Sequence, residues 1–151
     1  MSQFAGTVGQ FRYTNGGRVL HPWTRLRECL MSLRVACVTM DAEDCRRLGQ
    51  FWAAALGWRV VADTEEGVYL VPPDAIGRDS AVPGLFLFPC DDLKKVKDRV
   101  HLDLKPDDQV AEIERLEALG ATRAMIGQTG AEPWVVMADP EGNEFCVLTA
   151  G

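Results

Sequence analysis

Two stretches of this chain follow one plan. Residues 37–58, CVTMDAEDCRRLGQFWAAALGW, run from an alternating apolar strand through an acidic turn into an amphipathic helix that stops at Leu-Gly. Residues 101–121, HLDLKPDDQVAEIERLEALGA, repeat that order in shorter form. Cys37 matches His101 and Asp44 matches Asp108 at an offset of 64, while Leu56-Gly57 matches Leu119-Gly120 at 63. A duplicated supersecondary unit constrains the chain to a pseudo-symmetric pair of modules. The cleft between the halves is where chemistry is expected.

The hydrophobic pattern extends the repeat. From Leu33 to Met40, Ala36, Val38 and Met40 share one strand face, and Val35, Cys37 and Thr39 the other. A helix is expected from Asp44 to Leu56, with Leu48, Phe51, Trp52, Ala55 and Leu56 as its buried stripe and Gly57 as its stop. Glu43 and Asp44 suit its positive end. Arg59–Ala62 and Val68–Val71 read as a hairpin, and Gly84–Phe88 as a further strand. The second copy gives a strand over Arg99–Leu104 and a helix over Asp107–Leu119. A hairpin of Thr122–Ile126 with Trp134–Ala138 follows, then the turn Asp139-Pro140-Glu141-Gly142 and a last strand over Glu144–Leu148. Lys94, Lys95 and Lys97, set among acidic neighbours, read as a solvated linker.

Composition bounds the class. At 151 residues the chain is long enough for one domain with a proper core. A net charge of -6 argues against a nucleic-acid partner, which calls for a basic face. No apolar run approaches the roughly 18 residues that span a bilayer, so no membrane role is expected. The opening MSQFAGTVGQ has neither the basic start nor the apolar core of a secretory signal. Five cysteines, Cys29, Cys37, Cys45, Cys90 and Cys146, form an odd set without a CxxC pair, which points to reduced thiols and a cytoplasmic location. Residues 1–30 lack either period and read as a peripheral, weakly ordered extension, with a short helix over Pro22–Leu30 compatible with the sequence. Residues 31–151 read as the domain, in modules 33–90 and 99–149.

The order strand, helix, three strands, given twice, together with the phrases FWAAALGW, HLDL, ALGAT and DPEGNEFCVL, resembles the vicinal oxygen chelate superfamily. More narrowly it is similar to the glyoxalase-like domain of the glyoxalase, bleomycin-resistance and dioxygenase group, over about Leu33 to Thr149. The resemblance implies an α+β fold of two tandem βαβββ modules forming an incomplete mixed-sheet barrel with helices outside. It also implies a homodimer. It is specific for fold and weak for reaction, because the superfamily spans isomerases, dioxygenases, thiol transferases and antibiotic-sequestering proteins.

Metal enzymes of that superfamily place four ligands on the first and last strands of the two modules. Carried onto this sequence, those positions are Cys37, Phe86 or Phe88, His101 and Cys146, of which only His101 is of the expected type. A phenylalanine coordinates nothing. The expectation is therefore no cofactor, with zinc or another divalent metal on Cys37, His101 and Cys146 as the alternative, since thiolate and imidazole suit zinc. His101 is the one histidine inside the domain, and Asp103 shares its face. With Glu144 it could act in general acid–base chemistry near neutral pH, as a lyase or isomerase. Cys37, Thr39, Phe86, Phe88, Asp103, Trp134 and Cys146 are the expected ligand-lining residues, the aromatics supplying an apolar wall. Phe51 and Trp52 are expected in the core. No serine elbow and no phosphate-loop spacing occurs. Three readings stay open: a protein that binds an apolar or mixed small molecule, possessing a sequestration or resistance role; an enzyme; and a non-catalytic dimeric interaction module.

Overall fold

Both helices begin at the aspartates that the repeat aligns. In the computed structural model, which describes residues 35–75 and 81–150, Asp44 caps the first helix by accepting from the Arg47 amide at 3.0 Å. Asp108 caps the second by accepting from the amides of Val110 and Ala111 at 3.0 and 3.1 Å. A side-chain oxygen at this position satisfies amides that have no partner inside the helix. Gly57 closes the first helix in the left-handed region, at φ 64°, where a β-carbon is disfavoured. Asp44→Ala and Asp108→Ala are each expected to cost about 1 kcal/mol of stability. Because the caps serve different helices, urea midpoints of the double variant should show the two losses adding.

The first module runs β1 (Cys37–Ala42), α1 (Cys45–Leu56), β2 (Arg59–Thr64), β3 (Gly67–Val71) and β4 (Gly84–Pro89). The second runs β5 (Leu102–Leu104), α2 (Gln109–Ala118), β6 (Thr122–Arg123), β7 (Trp134–Ala138) and β8 (Glu144–Leu148). Each module folds its strands into a four-stranded mixed sheet, of order β1-β4-β3-β2 in the first and β5-β8-β7-β6 in the second. In both, the first strand lies parallel to the last and the other neighbours are antiparallel. The fold is thus α+β, two βαβββ modules whose sheets do not close into a barrel. No helix among the described residues is long and apolar enough to cross a membrane.

The apolar stripe of α1 does more than cover its own sheet. Leu48, Phe51, Trp52 and Ala55 are buried with Leu70, Leu85 and Leu87 of the first module and with Phe145 and Val147 of the second, in one continuous core. The rings of Phe51, Trp52 and Phe145 stack edge to face, with Trp52 5.2 Å from each of the other two. Polar contacts then fasten α1 to the second module at three heights. The Glu141 carboxylate accepts from the amides of Glu43 and Asp44 at 2.8 Å each. Trp52 Nε1 donates to the buried Asp139 carboxylate at 3.1 Å. Arg115 donates to the carbonyls of Ala54 and Ala55 at 3.0 and 2.7 Å. Acid at the amino end and guanidinium at the carboxyl end both complement the helix dipole.

Several elements shift at their ends from the sequence reading, and three of the shifts have a visible cause. β1 begins at Cys37 and runs to Ala42, because β4 extends to Pro89 and keeps the parallel ladder paired through Asp41 and Ala42, where the acidic turn was expected. β5 covers 102–104 rather than 99–104: the Glu144 amide that would continue its ladder donates to the Asp98 carboxylate at 3.1 Å. β6 stops at Arg123, where the Gln128 side chain takes over, donating to the Ala124 carbonyl and accepting from the Ile126 amide. The expectations for residues 1–30, including the helix over 22–30, lie outside the described residues.

Candidate ligand site on the second sheet

Strand alternation gives each sheet one face toward the helices and one away from them. On the first sheet the outward face carries Cys37, Thr39, Phe86 and Phe88, with Thr39 opposite Phe86 and Tyr69 opposite Phe86 on its other side. The rings of Tyr69, Phe86 and Phe88 form a row with centroids 6.2 and 6.3 Å apart. Phe88 remains half exposed. Cys37 Sγ lies 3.9 Å from the Thr39 hydroxyl.

On the second sheet the outward face carries Asp103, Trp134, Val136, Glu144, Cys146 and Leu148, with Cys146 flanked by Asp103 on β5 and Val136 on β7. These side chains line a cavity of about 300 Å³. The segment between the modules contributes Lys97 and His101 to its rim, and the loop after β6 contributes Ile126. A wider groove of about 1280 Å³ opens between the modules, its lining mixing apolar side chains such as Val38, Met40 and Leu102 with charged ones such as Asp41, Glu43, Arg46 and Glu141. His101 and Glu144 border both spaces. The smaller cavity is the better candidate, because apolar walls and titratable groups converge there.

At one end of that cavity His101, Asp103 and Cys146 meet, one potential ligand atom from each lying within 4.8 Å of the others. His101 Nε2 is 3.4 Å from Asp103 Oδ1. Burial pushes the Cys146 thiol up from its ordinary value, the charge and hydrogen bond of Asp103 push it further, and Lys97 offsets part of this. The thiol is therefore protonated at neutral pH and is no resting nucleophile. The donor set of imidazole, carboxylate and thiol fits a divalent ion of the zinc kind, which would displace the thiol proton on binding.

Glu144 has a different neighbourhood. Its carboxylate receives Lys94 Nζ at 2.7 Å and the Asp98 amide at 3.0 Å, while its own amide donates to Asp98. Burial works to raise its pKa, but Lys94 and the Asp98 amide outweigh it and bring it down to about 2. Asp98 moves the other way, raised by burial and by Glu144. Glu144 thus ties the segment carrying Lys97 and His101 onto β8, and among the described residues no hydrogen bond or ion pair joins it to His101.

The structure therefore brings His101, Asp103, Cys146 and Trp134 to one cavity, and leaves Cys37, Thr39, Phe86 and Phe88 on the other sheet. Val136 and Leu148 were legible from alternation with Trp134 and Cys146. Lys94 and Asp98 carried no local signal, since their partner Glu144 lies far along the chain.

Residues 37–148 match the family model described as a glyoxalase-like domain. No curated protein matches the chain. Among solved structures, a glyoxalase/bleomycin resistance protein/dioxygenase family enzyme from Burkholderia phytofirmans is 15% identical, with 79% of this chain and 100% of that one covered at a TM-score of 0.59. The fosfomycin resistance protein FosX of Mesorhizobium loti is 15% identical over 80% of this chain and 94% of its own, at 0.58. An antibiotic-binding protein from a Streptomyces species, TnmS3, is 21% identical over 80% and 99%, at 0.52. Identities this low speak for the fold alone, and they agree with the duplicated module and its open sheets. The family model spans most of the sequence, and the chain belongs to the glyoxalase-like domain family of the vicinal oxygen chelate superfamily.

Proposed function

We propose that this protein binds a small apolar or mixed molecule on the open face of its second sheet, without a catalytic metal, in a sequestration or resistance role. The observation that carries the reading is the cavity of about 300 Å³ in which Trp134, Val136, Ile126 and Leu148 form an apolar wall and His101, Asp103 and Cys146 converge at one end. Binding sites commonly combine such walls with a few polar groups that fix orientation. Fold relatives that include a fosfomycin resistance protein and an antibiotic-binding protein support this class of role. A homodimer is part of the proposal, the outward aromatic row of Phe86 and the half-exposed Phe88 offering it an apolar surface. So is a cytoplasmic location, supported by the four free thiols among the described residues.

The test is a thermal-shift screen with aromatic and mixed metabolites, repeated on Trp134→Ala. A ligand at about 100 times its Kd stabilises the folded state by about 2.7 kcal/mol, which is readily seen. The shift should fall sharply in the variant, whose partly exposed tryptophan is not needed for folding. An undiminished shift would place binding elsewhere.

A second reading rests on the three converging donors. Here His101, Asp103 and Cys146 would hold a divalent ion, Asp103 standing where Cys37 was expected, and would gain from it Lewis acidity for a lyase or isomerase. Metal analysis of protein purified without chelators decides it: less than about a tenth of an equivalent sinks this reading.

A further inference from the structure

The charges around the second-sheet cavity are unequally satisfied. Glu144 is held by Lys94 at 2.7 Å and by the Asp98 amide. Asp103 faces His101 Nε2 at 3.4 Å and the Cys146 thiol. Lys97 is different. Its ammonium donates to the main-chain oxygen of Asp98 at 3.2 Å, and among the described residues it pairs with no carboxylate. It lies on the cavity rim rather than in the wider groove that Lys94 and Lys95 border. It lines the same cavity as the Cys146 sulfur and His101. Beside these groups on the same sheet face stand Trp134, Val136 and Leu148, an apolar surface with one broad ring.

We propose that the ligand class of this cavity is an amphipathic anion, a flat apolar body bearing one carboxylate or similar oxyanion, received by the Lys97 ammonium while Trp134 covers the ring. This rests on the ligand-binding reading above and narrows it. An anion meets the one cation among the described rim residues that has no acidic partner, whereas a cation would have to compete with His101 and the thiol for Asp103. The segment carrying Lys97 is anchored at Asp98 by the paired bonds to Glu144, so the ammonium is held near the rim before ligand arrives.

Three probes of one shape test it by calorimetry: 2-naphthoate, 2-naphthamide and 2-naphthylmethylammonium. Naphthoate should bind about fivefold more tightly than the amide, a gain ordinary for a charged hydrogen bond at a partly exposed site. Lys97→Gln should erase that preference, bringing naphthoate and amide to equal affinity, and Lys97→Glu should turn it toward the ammonium probe. Raising the salt should weaken naphthoate alone. Equal affinity of naphthoate and amide, or tighter binding of the ammonium to the unaltered protein, overturns the anion class while the cavity reading stands. If Trp134→Ala weakens none of the three, the cavity reading fails and the anion class falls with it. Lys97 is exposed, so these variants fold, as matching thermal melts should show.

Discussion

Asp139→Ala is expected to lower the unfolding free energy by roughly 3–5 kcal/mol, the largest loss from any single polar side chain in the described structure. The Asp139 carboxylate is buried between the modules and accepts four hydrogen bonds. They come from Trp52 Nε1 at 3.1 Å, from the Asn143 side chain at 2.9 Å, and from the amides of Glu141 and Asn143 at 3.0 Å each. Truncation leaves a buried indole N–H and two amides without an acceptor, each costing on the order of 1–3 kcal/mol where water cannot enter. Burial raises the Asp139 pKa while those four donors hold it back. A carboxylate raised on folding stabilises the fold below its unfolded pKa, and that share is lost as pH rises through the folded value. The hydrogen bonds, not the ionisation, are thus what the variant forfeits at neutral pH. Urea unfolding followed by tryptophan fluorescence checks this, and a loss below about 1 kcal/mol would mean that solvent satisfies the orphaned donors. In a double-mutant cycle with Trp52→Phe the two losses should overlap by about 1–2 kcal/mol, because both variants remove the same bond.

Asp139 also marks where sequence reading stops. The turn 139–142 was legible from Asp-Pro and Gly, and it forms as expected. That its two acids reach across to α1, Asp139 to Trp52 and Glu141 to the amides of Glu43 and Asp44, was not legible. Local turn chemistry and long-range capping call for the same residue types, so the second hides behind the first. The duplicated frame was readable because periodicity is a local property. Asp44 and Asp108 sat at equivalent offsets and both became caps, and the α1 stripe became the core. The cavity was half readable. His101 with Asp103 followed from alternation, and Cys146 joined them because β8 runs beside β5. Glu144 shares the face of Cys146, yet its carboxylate turns to Lys94 and Asp98, and no periodicity reports a pairing across so long a separation. Lys94 read as solvated linker with Lys95 and Lys97 for the same reason, although only those two are exposed. Charge counts along a segment do not say which charge is folded back onto a strand.

The second large effect is expected at Lys94. Only 17% of its side chain and 11% of that of Glu144 are exposed, so water can replace the lost ammonium only in part. Lys94→Ala should cost about 2–3 kcal/mol at neutral pH by leaving Glu144 and Asp98 together without their cation. The pH dependence separates charge from packing. Glu144, lowered to about 2 in the folded protein, contributes stability that is complete above its unfolded pKa of about 4.3 and is lost as pH falls through the folded value. Asp98 is raised, so its smaller share runs the opposite way, present below its unfolded pKa and lost as pH rises through the folded one. Removing Lys94 takes away the principal cause of the Glu144 depression. The gap between wild type and variant should therefore be widest at neutral pH and shrink by more than about half as pH approaches 2, since a protonated Glu144 has no ion pair to lose. A gap that stays constant over this range would show that Lys94 acts through its methylene stem, a result Lys94→Met would reproduce without loss. The same variant bears on ligand binding. Lys97 and His101 ride on the segment that Glu144 pins to β8, so loosening that attachment should weaken binding at the cavity even where the fold survives. Lys94→Arg, which keeps the charge, should restore most of both losses.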